Sequence, residues 1–153
     1  MSPVRRMTTE TEDKPAELGW ADLVTHDGLF AINAEQRIVY WNDGAESILG
    51  YTASDVVGKP CYEVMRGRDS RNYLFCRRNC PILTNARKGR SSLDYDILCH
   101  LPNGQGKWVN VSVAIRKGRR TLEVVHMFRD VTHHRRTEEF ARKAGVALRQ
   151  LLD

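Results

Sequence analysis

Cysteine carries the most versatile chemistry in this chain, and its distribution is uneven. Cys61, Cys76 and Cys80 fall within CYEVMRGRDSRNYLFCRRNCPI, residues 61 to 82, and the fourth cysteine is Cys99. Thiolates bind soft metals, pair as disulfides and oxidise reversibly. Cys61, Cys76 and Cys80 can seat zinc if Cys99, His100 or a water supplies the fourth ligand. An iron–sulfur cluster prefers four cysteines. Cys80 precedes Pro81, which suits the first position of a helix, so a helix N-terminus together with Arg77 and Arg78 would lower a thiol pKa there. The same residues admit two blander readings. Cys76 and Cys80 alone form a disulfide, or Cys61 and Cys99 are small hydrophobes in a core and the other two are merely neighbours.

Other reactive patterns are missing. The sequence has no phosphate-cradling glycine loop, serine elbow or convergent carboxylate pair. His133 and His134 open a charged linker, and no pattern of an ATP-binding domain accompanies them. The expectation is a protein that is not an enzyme. The net charge of +5 is spread over separate basic loops. Without zinc-finger spacing, a helix-turn-helix pattern or an aromatic-studded basic strand, these loops read as solvated and predict no direct nucleic-acid binding. The apolar runs are too short to span a membrane, and residues 1–17 lack the apolar centre of a secretory signal. A cytoplasmic location, where thiols stay reduced, is expected.

The elements that must position the cysteines follow from periodicity. GLFAINAEQRIVYWN (28–42) alternates on both sides of a turn and predicts a β-hairpin. NDGAESILGY predicts a short helix with Ala45, Ile48 and Leu49 on one face and Gly50 stopping it. TASDVVGKP predicts another, capped by Thr52, with Asp55 at its third position and Gly58 and Pro60 ending it. After the cysteine segment, Pro81 to Gly89 reads as a helix. Leu93, Tyr95, Ile97 and Cys99 then alternate on one strand face, and Val109, Val111, Val113 and Ile115 do so on the next. TLEVVHMFRDV is a third long strand. From Thr132, a candidate cap, the pattern turns helical, with a narrow stripe of Phe140, Ala144, Ala147, Leu148 and Leu151. The layout is α+β: helices segregated to one side of an antiparallel sheet. It divides into a disordered leader (1–17), one domain (18–132) and a C-terminal linker helix (133–153).

DGLFAINAEQRIVYWNDGAESILGYTASDVVGK resembles the opening of a PAS sensor domain, with Asn42, Gly50 and Tyr51 matching its motif. FRDVTHHRRTEE resembles the PAS exit, matched by Asp130, Val131 and Thr132. The resemblance covers roughly residues 20 to 140. It implies a five-stranded antiparallel sheet in order 2-1-5-4-3 with short helices capping its concave face. It further implies a pocket that senses a small molecule, redox state or light, and a terminal helix that passes the signal to a kinase, transcription-factor or cyclase output. Asn42, His126 and Phe128 are the candidate pocket residues. Cys61 falls where the light-sensing LOV subclass carries its flavin-reactive cysteine. However, Pro60 and YEVM replace the subclass's flanking residues, and Phe128 stands where its last-strand glutamine belongs, so flavin is disfavoured. Haem would require an axial ligand such as His100 or His126. The C-Y-E-V segment followed by C-x3-C-P is similar to a subset of PAS sensors with cysteine-rich caps, which makes Cys61, Cys76 and Cys80 the preferred sensing residues, for redox state or metal. The alternative is a ligand-free dimerisation or adaptor module. A homodimer is expected, because Val125 and Met127 on the last strand and the Phe140–Leu151 stripe need cover. The partner of the terminal helix would be an output domain or protein.

Overall fold

The computed structural model describes residue 19 and residues 23–152. The expectation of a disordered leader over 1–17 lies outside the described residues. Strands β1 (Gly28–Ile32) and β2 (Ile38–Trp41) form the opening hairpin. Four short helices follow: α1 (Asp43–Leu49), α2 (Ala53–Val56), α3 (Cys61–Met65) and α4 (Pro81–Arg87). Strands β3 (Tyr95–His100), β4 (Gly106–Lys117) and β5 (Leu122–Asp130) lead into α5 (Thr132–Leu152). The strands make one antiparallel five-stranded sheet in order β2-β1-β5-β4-β3, the order that the resemblance implies.

The short helices close over the sheet face carrying Phe30, Ile97, Val109, Val111, Val124 and Phe128, and Leu49, Val56, Met65 and Leu83 pack down on it. The period-two alternation expected for β4 is present: Val109 and Val111 are fully buried, and Val113 and Ile115 pack at the margin of the core. Register decides one local exchange of size. Gly28 pairs with Phe128 across β1 and β5, and a Cβ at Gly28 would lie 2.2 Å from the Phe128 ring. The phenyl therefore occupies the space that a side chain on β1 would take.

Three details differ from the pattern expected of the sequence. Leu93 is 89% exposed and precedes β3, which begins at Tyr95; Tyr95, Ile97 and Cys99 keep the expected inward face. Thr52 caps no helical N–H, because its hydroxyl bonds Ser54; the Ala53 N–H donates instead to the Glu46 carboxylate at 2.7 Å. Thr132 spends its hydroxyl on β4, accepting from the Trp108 N–H at 2.9 Å. Its own N–H donates to the Asp130 carboxylate at 2.9 Å. The Asp130–Thr132 pair thus fastens the start of α5 to the neighbouring strand, and Arg135 adds to the joint by lying 3.8 Å over the Trp108 ring and bonding Asp96 at 2.8 Å. Beyond that joint α5 buries none of its side chains.

Candidate functional site: a thiol-lined cavity under the cap

The turn between β1 and β2 organises the cysteine segment. Asn33 Oδ1 accepts the N–H groups of Glu35 and Arg37, and the chain passes through Gln36 in a left-handed conformation, φ 58°. Only 3% of Gln36 is exposed. Its Nε2 donates to the Arg77 carbonyl at 3.1 Å and its Oε1 accepts from the Asn79 N–H at 2.8 Å. Its backbone carbonyl accepts from the Cys61 N–H at 2.9 Å. One buried residue therefore ties both ends of the segment to the hairpin, the Arg77–Asn79 end by its side-chain amide and the Cys61 end by its backbone carbonyl. The sequence pattern does not single out Gln36, since a glutamine in a polar turn looks solvated; only the tertiary placement of the turn reveals it.

The far side of the segment is held by the sheet. Arg68 exchanges backbone hydrogen bonds with Leu98, at 3.0 and 2.8 Å, so the segment extends the sheet at its β3 edge and covers open backbone groups there. Gly67 lies beneath, its carbonyl accepting from the Phe75 and Cys76 N–H groups at 2.9 and 3.0 Å. A Cβ at Gly67 would meet Ile97 at 2.7 Å and the Cys76 sulfur at 2.8 Å. Glycine is thus what lets the Cys76 thiol turn inward.

With both ends fixed, three thiols from three positions reach one place. Cys61 opens α3, Cys76 lies in the loop and Cys80 is the residue before α4; all three line a cavity of about 20 Å³, beside Tyr95 and His126. That volume is about one water molecule's worth of accessible space. All four cysteines are free thiols. Cys99 is buried in the core but does not line the cavity, and His100 lies on the outer surface. Asn42 is also elsewhere. Its Oδ1 caps α1 through the Ala45 N–H and accepts the Leu29 N–H, both at 2.8 Å, and its Nδ2 donates to the Asp27 carbonyl at 3.0 Å. Phe128 fills the core over Gly28, outside the cavity. Of the three expected pocket residues, only His126 lines it.

Electrostatics in the cavity favour neutral groups. Burial pushes the Cys61 thiol up to about 12, helped by repulsion from Cys76 and Cys80. Burial also pushes Cys76 up to about 12, against a hydrogen bond from the Gly67 backbone. Desolvation disfavours a thiolate more than local dipoles favour it. Tyr95 is raised well above its ordinary value by burial and then by the neighbouring thiols.

A family model of the PAS fold matches residues 22–131. The chain belongs to the PAS family. No curated protein sequence matches it significantly. Among solved structures it is similar to a sensory box histidine kinase/response regulator from Burkholderia thailandensis, at 17% identity and TM-score 0.58, covering 82% of this chain and 92% of that one. The PAS domain of nitrogen regulation protein NR(II) from Vibrio parahaemolyticus aligns at 16% identity and TM-score 0.54, over 69% of this chain and 89% of that one. A PAS domain from Desulfitobacterium hafniense aligns at 17% identity and TM-score 0.54, over 69% and 93%.

The PAS interior also tests the cofactor expectations. A haem or flavin requires a cavity of several hundred Å³, and the thiol-lined space holds about 20 Å³. Neither group fits this packing. Among the described residues, no three His, Cys, Asp or Glu side chains are grouped as a metal ion requires. Zinc or an iron–sulfur cluster therefore does not fit this arrangement of the thiols either, and Cys99 is not placed to complete a four-cysteine set.

His126 is the odd polar group in this PAS core. It is 5% exposed, stacks on Phe30 at 4.3 Å between centroids, and its Nδ1 has no hydrogen-bond partner among the described residues. Burial lowers its pKa to about 4, a hydrogen bond with the Val124 backbone offsetting only part. The folded state thus resists protonation where the unfolded chain accepts it. The stability of neutral His126 is complete above the unfolded value near 6.5 and is lost as pH falls through 4. This one group should remove about 3 kcal/mol between those limits. In His126→Phe, urea titrations from neutral pH down to about pH 4 should lose that part of the slope. An unchanged slope would show that His126 is charged or solvated in the fold.

Proposed function

We propose that this PAS domain is a sensory input module of a signal-transduction or transcription-regulatory protein, and that Cys61, Cys76 and Cys80 are its sensing groups for redox state. One observation carries the reading: three thiols, brought from three positions of the cap, line a single small cavity. A cap built only for packing has no need to converge them. The cavity's size favours a neutral molecule as small as a peroxide over a resident cofactor. The balanced chemistry has two steps. The Cys76 sulfur attacks one peroxide oxygen, the O–O bond breaks, and sulfenic acid and water result. The thiol of Cys61 or Cys80 then attacks that sulfur, forming a disulfide and releasing a second water.

The output runs through α5. Its exposed Phe140, Leu148 and Leu151, with Met127 on β5, favour a second copy of this chain or an output domain as the cover. The Asp130–Thr132–Trp108 joint puts the start of that helix on the same sheet whose other face the thiols touch.

The test is hydrogen peroxide titration of protein purified without oxygen. Intact mass should fall by the two hydrogens of one disulfide, peptide mapping should place Cys76 in it, and light scattering should show a dimer. Cys76→Ser should abolish the mass loss and Cys99→Ser should keep it. Protein that gains no disulfide under peroxide that oxidises free cysteine fully would refute the redox reading and leave the adaptor module. Stoichiometric metal in the untreated protein would replace redox with metal sensing.

A further inference from the structure

On the outer side of the Cys76 wall lies a second feature, an open groove of about 680 Å³. Arg66 and Arg68, in the stretch leaving α3, and Arg77 and Arg78, in the loop returning to α4, line it. Glu63 is the one acid in the lining, so the groove carries a clear positive excess. None of the four arginines has a carboxylate partner among the described residues.

These side chains differ from ordinary solvated arginines because the loop holds three of them. Arg66 Nε donates to the Glu63 carbonyl at 2.9 Å, Arg68 to the Asn72 carbonyl at 3.0 Å, and Arg77 to the Leu74 carbonyl at 3.1 Å. Each guanidinium has five N–H donors, so each keeps most of its fork free while its orientation is set by backbone. The backbone itself is constrained. Among described non-glycine residues the left-handed ones are Gln36, Arg66, Asn72 and Asn79, and all four lie in this loop or, as Gln36, bind it. Residues held in that region cluster where structure is over-determined for a purpose. Tyr62 and Leu74 add apolar surface to the lining.

We infer that this groove is a binding site for a small organic anion bearing two or three carboxylate or phosphate groups. Several fixed forks match planar or tetrahedral oxyanions with paired hydrogen bonds. The positive excess calls for more than one negative charge, and the apolar patch suits a short carbon body. The site lies outside the thiol cavity and stands apart from the redox reading, although Tyr62, Cys76 and Arg77 form a wall common to both.

The test is calorimetric titration of the full chain with citrate and with pyrophosphate, acetate serving as the singly charged comparison. At least one of the two probes should bind one to one with a dissociation constant of about 0.1 mM or tighter, and acetate should not bind. Arg66→Gln combined with Arg77→Gln should weaken that binding at least about tenfold, the loss of charge-assisted hydrogen bonds at two forks. Arg119→Gln with Arg120→Gln, in the distant β4–β5 turn, should leave it unchanged. No binding of either probe, or equal weakening in both double variants, would overturn the inference. So would binding of an acidic peptide or of single-stranded RNA at the groove with neither probe bound.

Discussion

Replacing Asn42 by alanine should destabilise the fold by about 3 kcal/mol, a large loss for a single polar side chain. The side chain does three things at once. It caps α1 through the Ala45 N–H, accepts the Leu29 N–H of β1, and donates to the Asp27 carbonyl ahead of β1. Losing an N-cap alone costs about 1 kcal/mol. Leaving the buried Leu29 N–H without an acceptor adds about 1 to 3 kcal/mol. Gly44 has no slack to absorb the change, because its Cα already faces the Asp27 carbonyl so closely that a Cβ would lie 2.2 Å from that oxygen. Asn42→Asp keeps the acceptor but cannot donate to Asp27, so it should recover roughly half of the loss. Guanidinium titrations at neutral pH measure both. A loss below about 0.5 kcal/mol in Asn42→Ala would mean that water replaces the side chain at all three partners.

Asn42 also shows how far the sequence could be read. It stands at the motif position that, with Gly50 and Tyr51, carries the family resemblance, and the fold and strand order follow from those end motifs. Its role did not follow, because a polar residue beside a presumed pocket reads equally as a ligand contact or a cap. The helix start decides between them. The cavity was legible in part: Cys61, Cys76 and Cys80 are conspicuous by type and spacing, and they do line one space. What brings them together was not legible. Gln36 lies about 25 residues before Cys61 in the chain's own alternation, and Arg68 pairs with an edge strand some 30 residues later; neither contact leaves a periodic signal. The upward shift of the Cys61 and Cys76 thiols was also hidden, since desolvation is a property of the packed cap and not of neighbours in sequence.

That desolvation has a kinetic consequence with a large expected size. With Cys61 and Cys76 at about 12 against an ordinary 9.0, the thiolate fraction near neutral pH falls about a thousandfold. A more basic thiolate is more nucleophilic, which returns about twentyfold. Iodoacetamide at about pH 8 should therefore label these two residues roughly 50-fold more slowly in the native protein than in urea, before any further delay from burial. The pH profile separates ionisation from access. In urea the rate should level off above the ordinary value of 9.0, whereas in the native protein it should keep climbing toward 12. The same shifts set the sign for stability: the folded state keeps protons that the unfolded chain loses, so the thiols' contribution is complete below 9.0 and is lost as pH rises through 12. Rates that level off near 9 in the native protein would show thiols already open to solvent. Native thiols that resist iodoacetamide yet oxidise with hydrogen peroxide would show the discrimination that the proposed redox input requires.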